Sequence, residues 1–244
     1  MYFAKYDQMK EKLDSYRPLS YELLHNLHEN LILDWTYHSN AIEGNTLTLK
    51  ETRIALEGIT VGGKTLREHF EAINHKDAIL YVEGLVSQVE PITEWVIKSI
   101  HQLILKNIDD SNAGKYRTIN VKIMGAKHIP PEYIHLPQLM QELIASHESW
   151  CSLHPIERAA RLHGEFVKIH PFVDGNGRTS RLLMNLVLMQ NGYPAVVLPV
   201  EKRLEYYHAL DKAHMTNDYD DFIDLLCAIV EESFKTYWFA LGVK

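Results

Sequence analysis

The sequence of 244 residues predicts an all-α, mainly helical protein, and three observations carry that expectation. Apolar residues recur at helical intervals, as in Leu24, Leu27, Leu31 and Trp35 near the start and Phe222, Leu225, Leu226 and Ile229 near the end. Prolines and glycines punctuate these runs. A single stretch alternates like a strand: Ile119, Val121 and Ile123 flank polar Asn120 and Lys122, and Gly125 offers a turn before His128, Ile129 and Pro130.

Taken in order, the run through Trp35 continues past Ser39 until Gly44 would end the helix. Helices follow over Leu66 to Val86 and, after Pro91, over Thr93 to Lys106. The alternating stretch reads as a short β-hairpin over Val121 to Pro131, and helices resume over Leu136 to Trp150 and Ile156 to Ile169. That last helix must stop at Pro171, and the next begins near Arg178. Arg203, Tyr206, Tyr207 and Leu210 lie three and four apart on a further helix, and Tyr219 to Lys244 closes the chain as another. Without an internal repeat, low-complexity tract or Ser/Gly linker, a boundary near residue 90 divides helical layers and not independent folding units.

Hydrophobic residues at 46% and charged residues at 23% match ordinary globular usage and exclude a disordered chain. The formal charge is −7 with scattered basic residues, which argues against a nucleic-acid partner. Cys151 and Cys227 have no metal-ligand spacing and are expected to be buried thiols. Met1 to Lys12 lacks the apolar stretch of a signal peptide, and no later segment holds about eighteen apolar residues in a row, so the expectation is a soluble, cytoplasmic protein without a membrane partner.

The chemistry lies in His170-Pro171-Phe172-Val173-Asp174-Gly175-Asn176-Gly177-Arg178-Thr179-Ser180-Arg181, the connection between two helices. Its glycines permit a tight turn with positive φ, and backbone N–H groups ahead of a helix N-terminus form a donor site for phosphate. Arg178 and Arg181, three apart, share a helix face and oppose the dipole of a first turn, a conflict relieved when an anion sits there. Asp174 supplies a hard oxygen for magnesium beside such a cradle. His170, at the other rim, has an imidazole suited to take a proton from an attacking hydroxyl. Singly, a His before Pro is a helix-end cap and an Asp-Gly pair a turn. Together they converge on one anion.

These residues resemble the Fic family signature HPFx(D/E)GNGRxxR at every specified position from His170 to Arg181. Gly114-Lys115-Tyr116-Arg117 resembles the family's GxYR element, the expected hairpin resembles its substrate-positioning flap, and the similarity spans roughly residues 35 to 225. The resemblance implies a Fic fold, with residues 1–90 as an N-terminal helical region and 91–244 as the catalytic core of one continuous unit. It also implies a protein adenylyltransferase that uses ATP and magnesium to place AMP on a Tyr, Ser or Thr hydroxyl of another protein or of itself. In that reading His170 is the base, Asp174 holds magnesium, and Gly175, Asn176, Gly177, Arg178 and Thr179 bind the nucleotide with Arg181 on the γ-phosphate. Ile123, Met124 and Gly125 of the flap complete the nucleotide site, Tyr206 and Tyr207 form an adenine-side wall, and His214 stands where many relatives carry Asn.

Ser39-Asn40-Ala41-Ile42-Glu43-Gly44 resembles the family's inhibitory motif, here N-terminal to the core. The resemblance implies that Glu43, four residues after Ser39, pairs with Arg181 in place of the γ-phosphate and slows the resting enzyme. Rival readings are removal of AMP with Glu43 positioning water, transfer of another phosphate-containing group, and a nucleotide-sensing module without catalysis. Self-association suits a chain with an internal brake, although no sequence feature sets the number of subunits.

Overall fold

Among the described residues the chain forms ten α-helices joined by loops and short 3₁₀ turns, with no strand. The computed structural model describes residues 2–243 and, within the helices, every side chain but that of Leu24. Met1 and Lys244 lie outside the described residues, as does the Leu24 side chain expected on the first apolar run.

Helix α1 is Ala4–Asp14, α2 Tyr21–Ile42, α3 Leu49–Leu56, α4 Leu66–Gln88 and α5 Glu94–Leu105. After the flap region come α6 Leu136–Ser149, α7 Pro155–Ile169, α8 Asn176–Gln190, α9 Arg203–Thr216 and α10 Asp220–Ala240. Helix α8 is the axis of the molecule: every residue from Arg178 to Leu188 is buried, as expected of a helix enclosed on all sides. Its main neighbour α7 buries Ile156, Ala159, Leu162, Phe166 and Ile169 on one face, while charged Glu157, Arg161 and Lys168 lie off that face. Gly164 lets α10 enter against α7, since a Cβ there would strike the Tyr219 ring. Helices from both sides of residue 90 share one apolar cluster, which contains Trp35, Ile79, Ile100 and Leu186.

Local chemistry sets the helix starts near the site. Thr48 with Glu51 and Thr65 with Glu68 form reciprocal capping boxes on α3 and α4, each worth about 1 kcal/mol. Gly44, at φ +99, ends α2 one residue beyond Glu43. Helix α8 begins at Asn176, two residues before the expected Arg178, because Gly175 at φ 77 already serves as its N-cap.

Two expectations fail. The expected hairpin over Val121 to Pro131 has no strand ladder: it is a loop with one turn, Ala126 N–H to the Ile123 carbonyl at 3.3 Å, around Gly125. Ile119, Met124 and Ile129 stay exposed, and an isolated two-stranded ribbon is marginal in water. Cys151 is exposed, because the chain leaves α6 through a 3₁₀ turn at Trp150–Ser152, whereas Cys227 is buried. Among the described residues no helix is long and apolar enough to cross a membrane.

Candidate active site

The connection between α7 and α8 is built by backbone conformation first. His170 caps α7 in the left-handed region at φ 51, its N–H donating to the Phe166 carbonyl at 3.0 Å. Pro171 prevents continuation. Asn176 then staples the turn, its Oδ1 accepting from Phe172 N–H at 3.0 Å and its Nδ2 donating to the Phe172 carbonyl at 2.9 Å. No side chain caps α8, so the first-turn N–H groups, which have no intrahelical acceptor, are available to an anion.

Two buried side chains that the sequence did not single out hold this loop in place. Gly114 N–H donates to His101 Nδ1 at 3.0 Å, which fixes the other ring nitrogen as the donor to the Asp174 carbonyl at 2.9 Å. The His101 ring stacks on Phe172 with centroids 3.6 Å apart, and burial pushes its pKa down to about 4. Arg117, named only as part of a motif, donates to the carbonyls of His170 (2.9 Å), Ile119 (2.8 Å) and Pro131 (2.6 Å). One guanidinium thereby fixes both feet of the flap to the rim of the loop. On the far side Asp211 accepts from Lys127 N–H at 2.9 Å, so side-chain contacts do the work that cross-strand pairing was expected to do.

His170 is held neutral. Burial is the main cause, and with the Arg117 charge nearby the pKa falls to about 4. Asp174 behaves differently: burial would raise its pKa, but Arg178, the Gly175 N–H and Arg67 outweigh that and keep the carboxyl below its ordinary range. Its Oδ2 lies 2.6 Å from Arg67 Nη2 and its Oδ1 3.2 Å from Arg178 Nη2. Glu71 completes a ring of charges, with Oε1 3.1 Å from Arg67 Nε and 3.4 Å from Arg178 Nη1.

Arg178 and Arg181 do not turn to the same partners. Arg178 turns to α4 and Asp174, whereas Arg181 turns to the end of α2. There Arg181 donates through Nε to Ser39 Oγ at 3.0 Å and through Nη2 to the Ser39 carbonyl at 2.8 Å and Glu43 Oε1 at 2.7 Å. The same carboxylate presses on the α8 backbone, since a Cβ on Gly177 would collide with Glu43 Oε1. A carboxylate therefore sits in the cradle where glycine, helix N-terminus and arginine favour an anion.

The other residues expected at the nucleotide site lie in different surroundings. Thr179 is fully buried, with its N–H bonded to the Gly175 carbonyl at 2.9 Å, because α8 is enclosed on all sides. Tyr206 is 2% exposed and meets His163 Nε2 at 2.9 Å, which leaves no face open to a purine. Tyr207 is the open aromatic, with its hydroxyl donating to the Ile42 carbonyl at 3.2 Å and Arg203 over its ring. His214 donates to the Gly164 carbonyl at 3.0 Å and stands edge-on to His128 of the flap. Ile123, Met124 and Gly125 form the flap tip, where Met124 is wholly exposed. Arg67 and Glu71 carried no sequence signal, being ordinary charged residues four apart at the start of a helix.

Comparison with known proteins gives a consistent result. Residues 91–188 match the family model described as Fic/DOC family. The protein adenylyltransferase Fic of Drosophila grimshawi is 41% identical over 207 residues, 84% of this chain, and fic-1 of Caenorhabditis elegans 40% over 208 residues, 83% of this chain. The chain spans only 42% and 40% of the lengths of those two proteins. A solved Fic domain containing signaling protein from Bacteroides thetaiotaomicron superposes with a TM-score of 0.89 at 30% identity, covering 98% of this chain and 97% of that one. A structure of Fic-1 from C. elegans gives 0.85 at 35% identity, covering 98% of this chain and 73% of that one. With the loop, the helical frame and these likenesses in agreement, the chain belongs to the Fic/DOC family.

Proposed function

We propose that the chain is a protein adenylyltransferase that transfers AMP from ATP to a protein hydroxyl and is restrained by Glu43. The observation that carries this reading is the anion cradle at the start of α8, filled by an internal carboxylate on Arg181 at 2.7 Å with neutral His170 at its edge. The relatives named adenylyltransferases support the choice of AMP.

Among the described residues no group of three or more His, Cys, Asp or Glu is placed to hold a metal. Asp174 fits magnesium in the usual shared manner, one carboxylate with the remaining ligands from phosphate and water. Bound there, the ion would neutralise charge on the α- and β-phosphates. The target's hydroxyl oxygen attacks the α-phosphorus, its proton passes to the His170 imidazole, and the bond to the β-phosphate's bridging oxygen breaks to release pyrophosphate. Loop amides and arginines position the chain of phosphates and stabilise charge. The flap, with no strand pairing of its own, is suited to accept an extended target segment as an added strand, a mode that reads backbone more than sequence. The cytoplasm, a protein partner and no nucleic acid belong to the same reading, as does self-association.

Incubation with ATP labelled at the α-phosphorus is expected to label a target protein or the chain itself, and ATP labelled at the γ-phosphorus is not. Transfer of the γ-label would make the chain a kinase on this fold, and release of AMP from an already modified target would make it a hydrolase. A second expectation concerns pH. Because a base acts deprotonated and burial lowers His170 to about 4, transfer should stay level from neutral pH down past the ordinary imidazole value of 6.5. It should fall only on approach to pH 4, provided the fold survives. An acid limb centred at 6.5 in a pH–rate profile would contradict a base held neutral.

A further inference from the structure

The phosphate cradle is closed by charge at both ends, and Arg67, which closes the end opposite Glu43, belongs to no motif. At the other end Arg67 Nη2 lies 2.6 Å from Asp174 Oδ2, while Asp174 Oδ1 accepts from Gly175 N–H at 2.6 Å and meets Arg178 at 3.2 Å. Both carboxylate oxygens are therefore engaged by cationic or N–H donors. We infer that Arg67 sets the divalent-cation affinity of the nucleotide site by occupying the Asp174 carboxylate until the ion displaces it. This rests on Asp174 as the metal-side carboxylate.

A guanidinium and a divalent ion on one carboxylate oxygen bring like charges within about 4 Å of each other, and one must leave. The surroundings determine which. Asp174 is held by His101 through its own carbonyl at 2.9 Å, and the Arg178 side chain is only 2% exposed. The Arg67 side chain is 57% exposed, in the first turn of α4, and it keeps Glu71 at 3.1 Å through a different nitrogen, Nε. Arg67 is the displaceable member, exposed enough to turn its Nη2 into solvent while the rest of the charge ring stands. Its helix is tied to the brake: Asn45, just after Glu43, donates to Glu71 Oε2 at 2.9 Å and to the Glu68 carbonyl at 3.1 Å. The segment that places a carboxylate on the γ-phosphate side thus also carries the helix that places a cation on the metal side.

Manganese, followed by its paramagnetic resonance at saturating non-hydrolysable ATP analogue, reads the ion directly in the full chain carrying Glu43→Gly. Adding Arg67→Ala should tighten manganese about two- to fivefold at low salt, the range set by a partly exposed ion pair. That gain should shrink as added salt screens the competing charge. Asp174→Asn should abolish the tight ion and with it any effect of Arg67→Ala. Weaker manganese or analogue binding in Arg67→Ala would make Arg67 a phosphate ligand and overturn the inference, as would unchanged affinity or a gain indifferent to salt. If Asp174→Asn binds manganese like its parent, the metal-side assignment of Asp174 itself fails, a result distinct from any failure at Arg67.

Discussion

In a chain carrying Glu43→Gly, replacing His170 with alanine should lower AMP transfer by about 10²–10⁴-fold, the usual contribution of a positioned general base. Nucleotide binding should persist, because the amides of α8, Asp174, Arg178 and Arg181 are untouched. The variant needs care at the backbone, since His170 lies at φ 51, a region alanine tolerates poorly and asparagine accepts more readily. His170→Asn is therefore the cleaner test, and it preserves the Arg117 bond, which is made to the His170 carbonyl and not to its ring. Both variants should retain a cooperative thermal transition and ATP-dependent stabilisation. Full transfer activity in either would remove His170 from the chemistry and require another group to accept the proton.

The parts of this site legible in the sequence are those whose physics is local. Positive φ at Gly175, the stop imposed by Pro171 and the end of α2 at Gly44 each follow from one residue's backbone preferences. The helical frame follows from apolar spacing, which reports burial along a single element. The Fic resemblance added the expectation that Glu43 meets Arg181, and the two lie 138 residues apart in sequence yet 2.7 Å apart in space.

What was not legible depends on neighbours that a periodic pattern does not specify. Helix α9 places Tyr206 inward and Tyr207 outward, and adjacent positions about 100° apart cannot both line one wall. Thr179 and the two arginines lie on a helix enclosed on all sides, so a shared face on a helical wheel does not mean a shared target. The flap's alternation is real, but with no sheet to receive its apolar side chains it stays a loop, pinned by Arg117 and Asp211. Arg67 and Glu71 gain their meaning only when α4 meets the loop at Asp174 and Arg178.

Glu43→Gly should raise transfer by about 10- to 100-fold and make the nucleotide-free protein less stable, two effects with one cause. Arg181 is 2% exposed, and among the described residues its Nη1 has no hydrogen-bond partner even with Glu43 present. Removing the carboxylate leaves the buried guanidinium without its anionic partner, while the Ser39 hydroxyl and carbonyl still accept from it. A charge-assisted hydrogen bond is worth about 1.5–3 kcal/mol when buried, and the lower end applies because Glu43 keeps 33% of its side chain in contact with solvent. For a chain of this size that corresponds to a fall of about 3–6 °C in the melting temperature. ATP with magnesium should restore the loss by supplying the γ-phosphate to Arg181, so the nucleotide-induced rise in melting temperature should be larger in the variant than in the parent. The gain in rate follows because the phosphate no longer competes with an internal anion held against Gly177. Glu43→Gln, which keeps the shape without the charge, should fall between parent and Glu43→Gly in both measurements. Equal AMP incorporation and equal nucleotide-induced stabilisation in all three proteins would show that Glu43 is a structural partner of Arg181 and restrains nothing.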